Sequence, residues 1–75
     1  MRKEGEISFE IIEYLGTLSE QENGWQKEVN IVSWNGGDPK LDIRSWSSNH
    51  CKMSRGITLS MDELKNLQEV IKYYK

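Results

Sequence analysis

The chain of 75 residues contains one cysteine and one histidine, which limits the chemistry that it can carry. A single cysteine, Cys51, excludes a disulfide within the chain and is typical of a reducing compartment. His50 stands next to Cys51, but two neighbouring ligands without further His or Cys do not build a zinc tetrahedron. We therefore expect neither a metal nor a cofactor.

Long apolar runs are also missing. No segment approaches the roughly 20 apolar residues of a membrane span, and the charged stretch 1–6 is not followed by the apolar core of a signal peptide. We therefore expect no membrane partner and a cytoplasmic, nucleoid-associated location. Residues 1–75 should form one domain, with residues 1–6 flexible.

A domain of this size buries a limited fraction of its surface and usually needs disulfides, a metal or a partner subunit. Since the first two are excluded, oligomerisation is the expected source of additional burial.

The net charge of −2 is unevenly distributed. Residues 1–24 are acidic, whereas residues 25–56 carry five cationic side chains against three acidic ones and also hold all three tryptophans. This distribution favours a basic, aromatic surface in the middle of the chain.

Hydrophobic alternation predicts four strands, over residues 7–18, 25–35, 39–47 and 55–59. The alternation slips near Ile11 and Ile12, which indicates a β-bulge. Between the second and third strands, Gly36 and Gly37 are free to take positive φ in a tight turn. Ser60 and Glu63 form a capping box, and a helix should run from residue 61 to about residue 74. The expected fold is α+β, of order ββββα: a curved antiparallel sheet with one C-terminal helix on its inner face.

Strand alternation sorts the segment from Trp34 to Trp46 into two faces. If the second and third strands pair as a hairpin in the expected register, Trp34, Lys40, Arg44 and Trp46 share one face. Leu41 and Ile43 point to the other face. Aromatic planes stack on bases and cations neutralise phosphates, so this face suits a single-stranded nucleic acid. Asn30 is a further candidate for a hydrogen bond to a base.

Several separated motifs resemble one known family. The strings Asp-Ile-Arg-Ser-Trp at 42–46 and Gly-Ile-Thr-Leu-Ser at 56–60, which lead into the helix, are similar to the transcriptional coactivator family called positive cofactor four. The resemblance is closest to its short bacterial, YdbC-like branch, and covers roughly residues 9–71.

The resemblance implies an intimate homodimer that binds single-stranded DNA along grooves on the sheets. Carried over to this chain, Trp34 and Trp46 would stack on bases. The implied phosphate or base-edge contacts are Lys27, Lys40, Arg44 and Arg55, with Lys52 as a further nearby cation. We expect the two helices to meet in the dimer through the apolar stripe, represented by Leu64, Leu67, Ile71 and Tyr74.

Three functions compete at this point. The first is a largely sequence-independent single-stranded DNA-binding protein with a role in transcription or strand protection; RNA stays open as a ligand, because stacking does not read the sugar. The second is a module that docks a polypeptide, such as RNA polymerase, on the same open face. The third, an enzyme, is disfavoured because no nucleophile–base pair, metal set or phosphate loop is visible, and we expect no catalytic residue.

Overall fold

A computed structural model describes residues 7–74, so the prediction for residues 1–6 lies outside the described residues. Its elements are β1 (Phe9–Glu20), β2 (Gln26–Trp34), β3 (Lys40–Trp46), β4 (Met53–Leu59) and α1 (Met61–Ile71). The ββββα order predicted from the sequence is confirmed.

The four strands form one antiparallel sheet in the order β1-β2-β3-β4. Between β2 and β3, Val32 pairs with Lys40, and Val29 pairs with Ile43, without a register shift. Directly paired residues point to the same side of a sheet. The register therefore confirms the predicted separation into two faces. We call the side that carries Phe9, Trp34 and Trp46 the aromatic face, and the side that carries Val29, Ile31, Leu41 and Ile43 the aliphatic face.

Strand β1 is more irregular than the sequence indicates. The predicted bulge near Ile12 is present, and two further register shifts follow, between Tyr14 and Gly16 and between Thr17 and Ser19. Each bulge adds a residue to one strand only and increases the local twist. The β1 residues left without a partner on β2 at these three shifts are exposed; they are Ile12, Leu15 and Leu18.

The turn after β2 uses a different pair of residues from the one expected. Positive φ angles occur at Asn35 (51°) and Gly36 (75°), whereas Gly37 donates its N–H to the Trp34 carbonyl at 2.8 Å. Asn-Gly is the preferred central pair for such a turn, because both positions need the left-handed conformation. The Asn35 side chain also accepts a hydrogen bond from the Ser8 N–H at 2.9 Å, which ties this turn to the start of β1.

Helix α1 begins as predicted and ends earlier. Ser60 accepts from the Glu63 N–H at 3.1 Å, and the Glu63 carboxylate accepts from the Ser60 N–H at 2.8 Å, so the capping box is complete. The helix ends at Ile71 rather than near residue 74. Its last turn has no basic residue to interact with the free carbonyls, and β-branched and aromatic residues near this end have a lower helix propensity. Tyr74, which the sequence predicts on the apolar stripe of the helix, therefore lies beyond the end of α1.

The buried apolar core is small. Within the described residues it consists of Val32, Leu41 and Trp46, and no residue of α1 is buried. The helix contacts β3 and β4, and Leu64 and Leu67 are its partly covered apolar side chains. In residues 7–74, no helix has the length and apolar character needed to cross a bilayer.

We predict that Ser60→Ala lowers the free energy of unfolding by about 0.5–2 kcal/mol, because it leaves the Glu63 N–H without its capping acceptor. Urea unfolding followed by far-UV circular dichroism measures the change. Ser48→Ala, at an exposed serine in the β3–β4 loop, is the matched control and should have little effect. Equal stability of the Ser60 variant and the wild type would contradict a stabilising cap.

Candidate nucleic-acid interface

The sheet register brings most of the predicted site residues to the aromatic face. Trp34, Lys40, Arg44 and Trp46 all lie on it, as the sequence predicts. Strand β1 adds two aromatic side chains that the sequence reading did not include, because Phe9 pairs with Trp34, and Tyr14 pairs with Asn30. The face is therefore richer in aromatic groups than expected.

Trp46 lies in the core of this face and is not an open platform. Its side chain is fully buried. The Phe9 ring contacts it with centroids 5.0 Å apart, and the His50 ring lies at 5.4 Å. Stacking of Trp46 on a base, as the sequence predicts, needs an exposed ring, and this arrangement covers the ring. Alternation predicted the correct face, but it carries no information on which distant residues cover that face.

Arg44 is engaged in a buried ion pair. Its Nε donates to Asp42 Oδ2 and its Nη2 to Asp42 Oδ1, both at 2.7 Å, while Asp42 is fully buried and the Arg44 side chain is 14% exposed. Thr58 donates a further hydrogen bond to Asp42 at 3.0 Å. Because these donors are already bonded, the guanidinium is less available to a phosphate than the sequence suggests.

The Arg44 guanidinium lies over the Trp34 ring, 4.5 Å from its centroid. Phe9 contacts the same indole at 5.9 Å. A cation held over an aromatic face attracts the ring, so Arg44 orients Trp34, which remains partly exposed. Trp34 is thus the one predicted stacking residue that the structure leaves accessible.

Gly56 makes the position of Arg44 possible. It pairs with Arg44 across β3 and β4, and a Cβ added at Gly56 would overlap the Arg44 Cβ and the Ile43 carbonyl oxygen, each at 2.4 Å. A larger residue would therefore push the ion pair out of place.

The remaining predicted contacts divide between the two faces. Lys40 is exposed on the aromatic face, and Lys52 and Arg55 are exposed in the loop and the irregular start of β4. Lys27 pairs with Ser45 and projects from the aliphatic side, so the structure does not bring it to the other cations. Asn30 is fully buried; its Nδ2 donates to Glu28, whereas its Oδ1 has no hydrogen-bond partner among the described residues.

A second polar cluster was missed by the sequence reading. Buried Glu28 accepts a hydrogen bond from Asn30 Nδ2 at 3.1 Å, and both of its oxygens lie within 3.2 Å of His50 Nε2. Strand alternation puts Glu28 and Asn30 on the same side of β2 as Trp34, and this is the signal that the sequence contains for the cluster. His50 carried no such signal, since it comes from a loop where its φ of 59° turns the ring back over the sheet.

The described residues contain no group of three His, Cys, Asp or Glu side chains that could hold a metal ion. Cys51 is exposed and unbridged.

The chain matches a known protein family over most of its length. The family model described as transcriptional coactivator p15 (PC4) matches residues 21–70, from the turn before β2 to the last residues of α1. A protein from Treponema pallidum (strain Nichols), named only as uncharacterized, is 39% identical over 66 residues, which cover 88% of this chain and 78% of that protein.

We predict that Asp42→Ala lowers the free energy of unfolding by about 3–5 kcal/mol, because it leaves the Arg44 charge without its buried partner. Chemical denaturation gives the measurement. Glu69→Ala is the matched control, since Glu69 and Lys72 form an exposed pair at 3.5 Å and exposed pairs contribute little. Similar losses in the two variants would show that the buried pair has no special role.

Proposed function

Because the chain belongs to the transcriptional coactivator p15 (PC4) family, we propose that it binds single-stranded DNA on the aromatic face of its sheet. The domain of this family binds nucleic acid and is not an enzyme. In our proposal the binding is largely independent of sequence, and its use is in transcription regulation or in protection of unpaired strands. We further propose that the chain belongs to the YdbC-like bacterial branch, that it works in the cytoplasm with the nucleoid, and that transcription machinery is a further partner.

The observation that carries the proposal is the orientation of Trp34. The indole is partly exposed and is backed by the Arg44 guanidinium, which is itself fixed by two hydrogen bonds to Asp42. A ring that is already ordered loses little conformational entropy when a base stacks on it. Base–aromatic stacking contributes about 1–3 kcal/mol per base and accepts any base.

The exposed cations at the margin of the face complete this proposed site. Lys40 stands on the aromatic face, while Lys52 and Arg55 follow at the far end of β3. The two lysines suit phosphates, because their compact charges are solvated and their flexible side chains can follow the strand. We assign Trp46 and Arg44 to supporting roles beneath Trp34, and we place Lys27 outside the site.

We propose that the functional unit is a homodimer. Leu64 and Leu67 are only partly covered, and Ile71 is 55% exposed. Together with a small buried core, this apolar surface is more than a stable small domain usually leaves to water. A second copy packed on the helix would bury it and would leave two aromatic faces available to one strand. Tyr74, just beyond the helix, would join the same contact.

A polypeptide partner on the aromatic face is the second candidate. It is favoured by the charge of the face, where Asp42 neutralises Arg44 and Glu28 adds a further carboxylate. The two candidates differ in salt dependence, because only binding to a polyanion releases condensed counterions.

We predict that Lys40→Gln weakens binding to a labelled single-stranded oligonucleotide. It should also reduce the slope of log K against log salt concentration by about 0.7, the amount expected for one lost phosphate contact. Fluorescence anisotropy at several salt concentrations gives both values. Lys27→Gln is the matched control, since it removes an exposed lysine from the other side of the same sheet. If the two variants lose affinity equally, or if the wild type binds no oligonucleotide, the proposed face is wrong.

We predict that Ile71→Asp converts the dimer into a monomer, because the substitution places a charge in the apolar contact between the helices. Light scattering coupled to size-exclusion chromatography should show the mass fall from that of two chains to that of one. Gln68→Asp introduces the same charge at an exposed polar position of α1 and should leave the mass unchanged. A wild-type protein that is already monomeric at high concentration would refute the dimer.

A further inference from the structure

A cavity of about 400 Å³ opens on the aromatic face. This volume lies within the range of about 300–1,000 Å³ that is usual for small-molecule sites. The register of β1 with β2, and of β2 with β3, places its strand residues on the aromatic face. Its lining residues are Ile11, Tyr14, Gln26, Glu28, Asn30 and His50.

One wall of the cavity is an exposed aromatic ring. Tyr14 is 57% exposed, and its hydroxyl is hydrogen-bonded to Thr17 Oγ1 at 2.6 Å, which restrains the orientation of the ring. Neither Trp34 nor Trp46 offers as much accessible ring, since Trp34 is partly covered and Trp46 is buried. Tyr14 is therefore the most accessible stacking surface on this face.

The floor of the cavity presents hydrogen-bond acceptors. Glu28, 4% exposed, accepts from Asn30 Nδ2 at 3.1 Å, and His50 Nε2 lies within 3.2 Å of both of its oxygens. A carboxylate has about four lone-pair sites, so Glu28 keeps acceptor capacity beside these two contacts. Since a carboxylate only accepts, the amide nitrogen of Asn30 must face it. The other amide atom, Asn30 Oδ1, is then an acceptor, and it is buried without a hydrogen-bond partner among the described residues. A phosphate would be repelled here, whereas a neutral group with N–H donors would be attracted.

We propose that this cavity receives one base of the bound strand, stacked on Tyr14, with its N–H donors directed to Glu28. The inference rests on the proposed single-stranded DNA binding and adds a base preference at one position. Guanine fits the floor best, because its pairing edge has two adjacent N–H donors. Thymine presents a single N–H between two carbonyl oxygens, and these would face the carboxylate.

The test compares two labelled oligonucleotides by fluorescence anisotropy: an oligothymidylate, and the same oligomer with one central guanine. The wild type should bind the guanine oligomer about tenfold more tightly, the factor that one good paired contact provides. In Glu28→Gln, one acceptor oxygen becomes a donor, so the ratio of the two affinities should fall towards one. Glu10→Gln removes the same charge from an exposed position on the aliphatic side of β1 and should keep the ratio.

A second variant keeps the test independent of the buried carboxylate. Tyr14→Ala, at an exposed position, should weaken binding of both oligomers about fivefold or more, whereas Tyr14→Phe should retain it. A wild type that binds both oligomers equally would overturn the base preference and leave the proposed function intact. A full guanine preference in folded Glu28→Gln would also overturn it. Failure to bind either oligomer would refute the proposed function and the cavity's role with it.

Discussion

The aromatic face depends on one buried ion pair, between Asp42 and Arg44. Two hydrogen bonds of 2.7 Å to the fully buried Asp42 hold the guanidinium of Arg44, whose side chain is 14% exposed. Removing two charges from water is costly, so such a pair is stable only when its remaining hydrogen bonds are also made. Here Thr58 supplies one of them from β4, and the Trp34 ring of β2 covers the cation. One interaction therefore links three strands and sets the position of the accessible indole.

This pair also determines the electrostatics of the face. Asp42 compensates the charge of Arg44, and Glu28 lies buried on the same face. The positive charge available to a ligand therefore comes from the exposed cations Lys40, Lys52 and Arg55. When binding relies more on ordered rings than on free cations, its affinity depends less on the salt concentration. A chain with a net charge of −2 can therefore be suited to a nucleic acid without a strongly basic surface.

Local patterns predicted the elements and the faces, because alternation, capping and turn chemistry are encoded within a few residues. The capping box of Ser60 and Glu63 and the pairing of β2 with β3 are of this kind. Which residues cover a given side chain, in contrast, depends on parts of the chain outside its own strand. Trp46 is covered by Phe9, which lies far away in the sequence. It is also covered by His50 of the β3–β4 loop, which contacts the indole from a left-handed backbone conformation. The early end of α1 reflects weak helix propensity that a periodic apolar stripe conceals.

The two sides of the sheet differ in how far the chain itself covers them. On the aromatic face, side chains of the same chain bury one another, among them Phe9, Trp46 and the Asp42–Arg44 pair. On the aliphatic face only Leu41 is a buried apolar residue within residues 7–74, and α1 contributes none. Hydrophobic stabilisation scales with the area removed from water, so the gain from a second copy is largest on the helix side. Association there would leave the ordered indole and the cavity on the same face of the sheet directed outwards, where a strand can reach both.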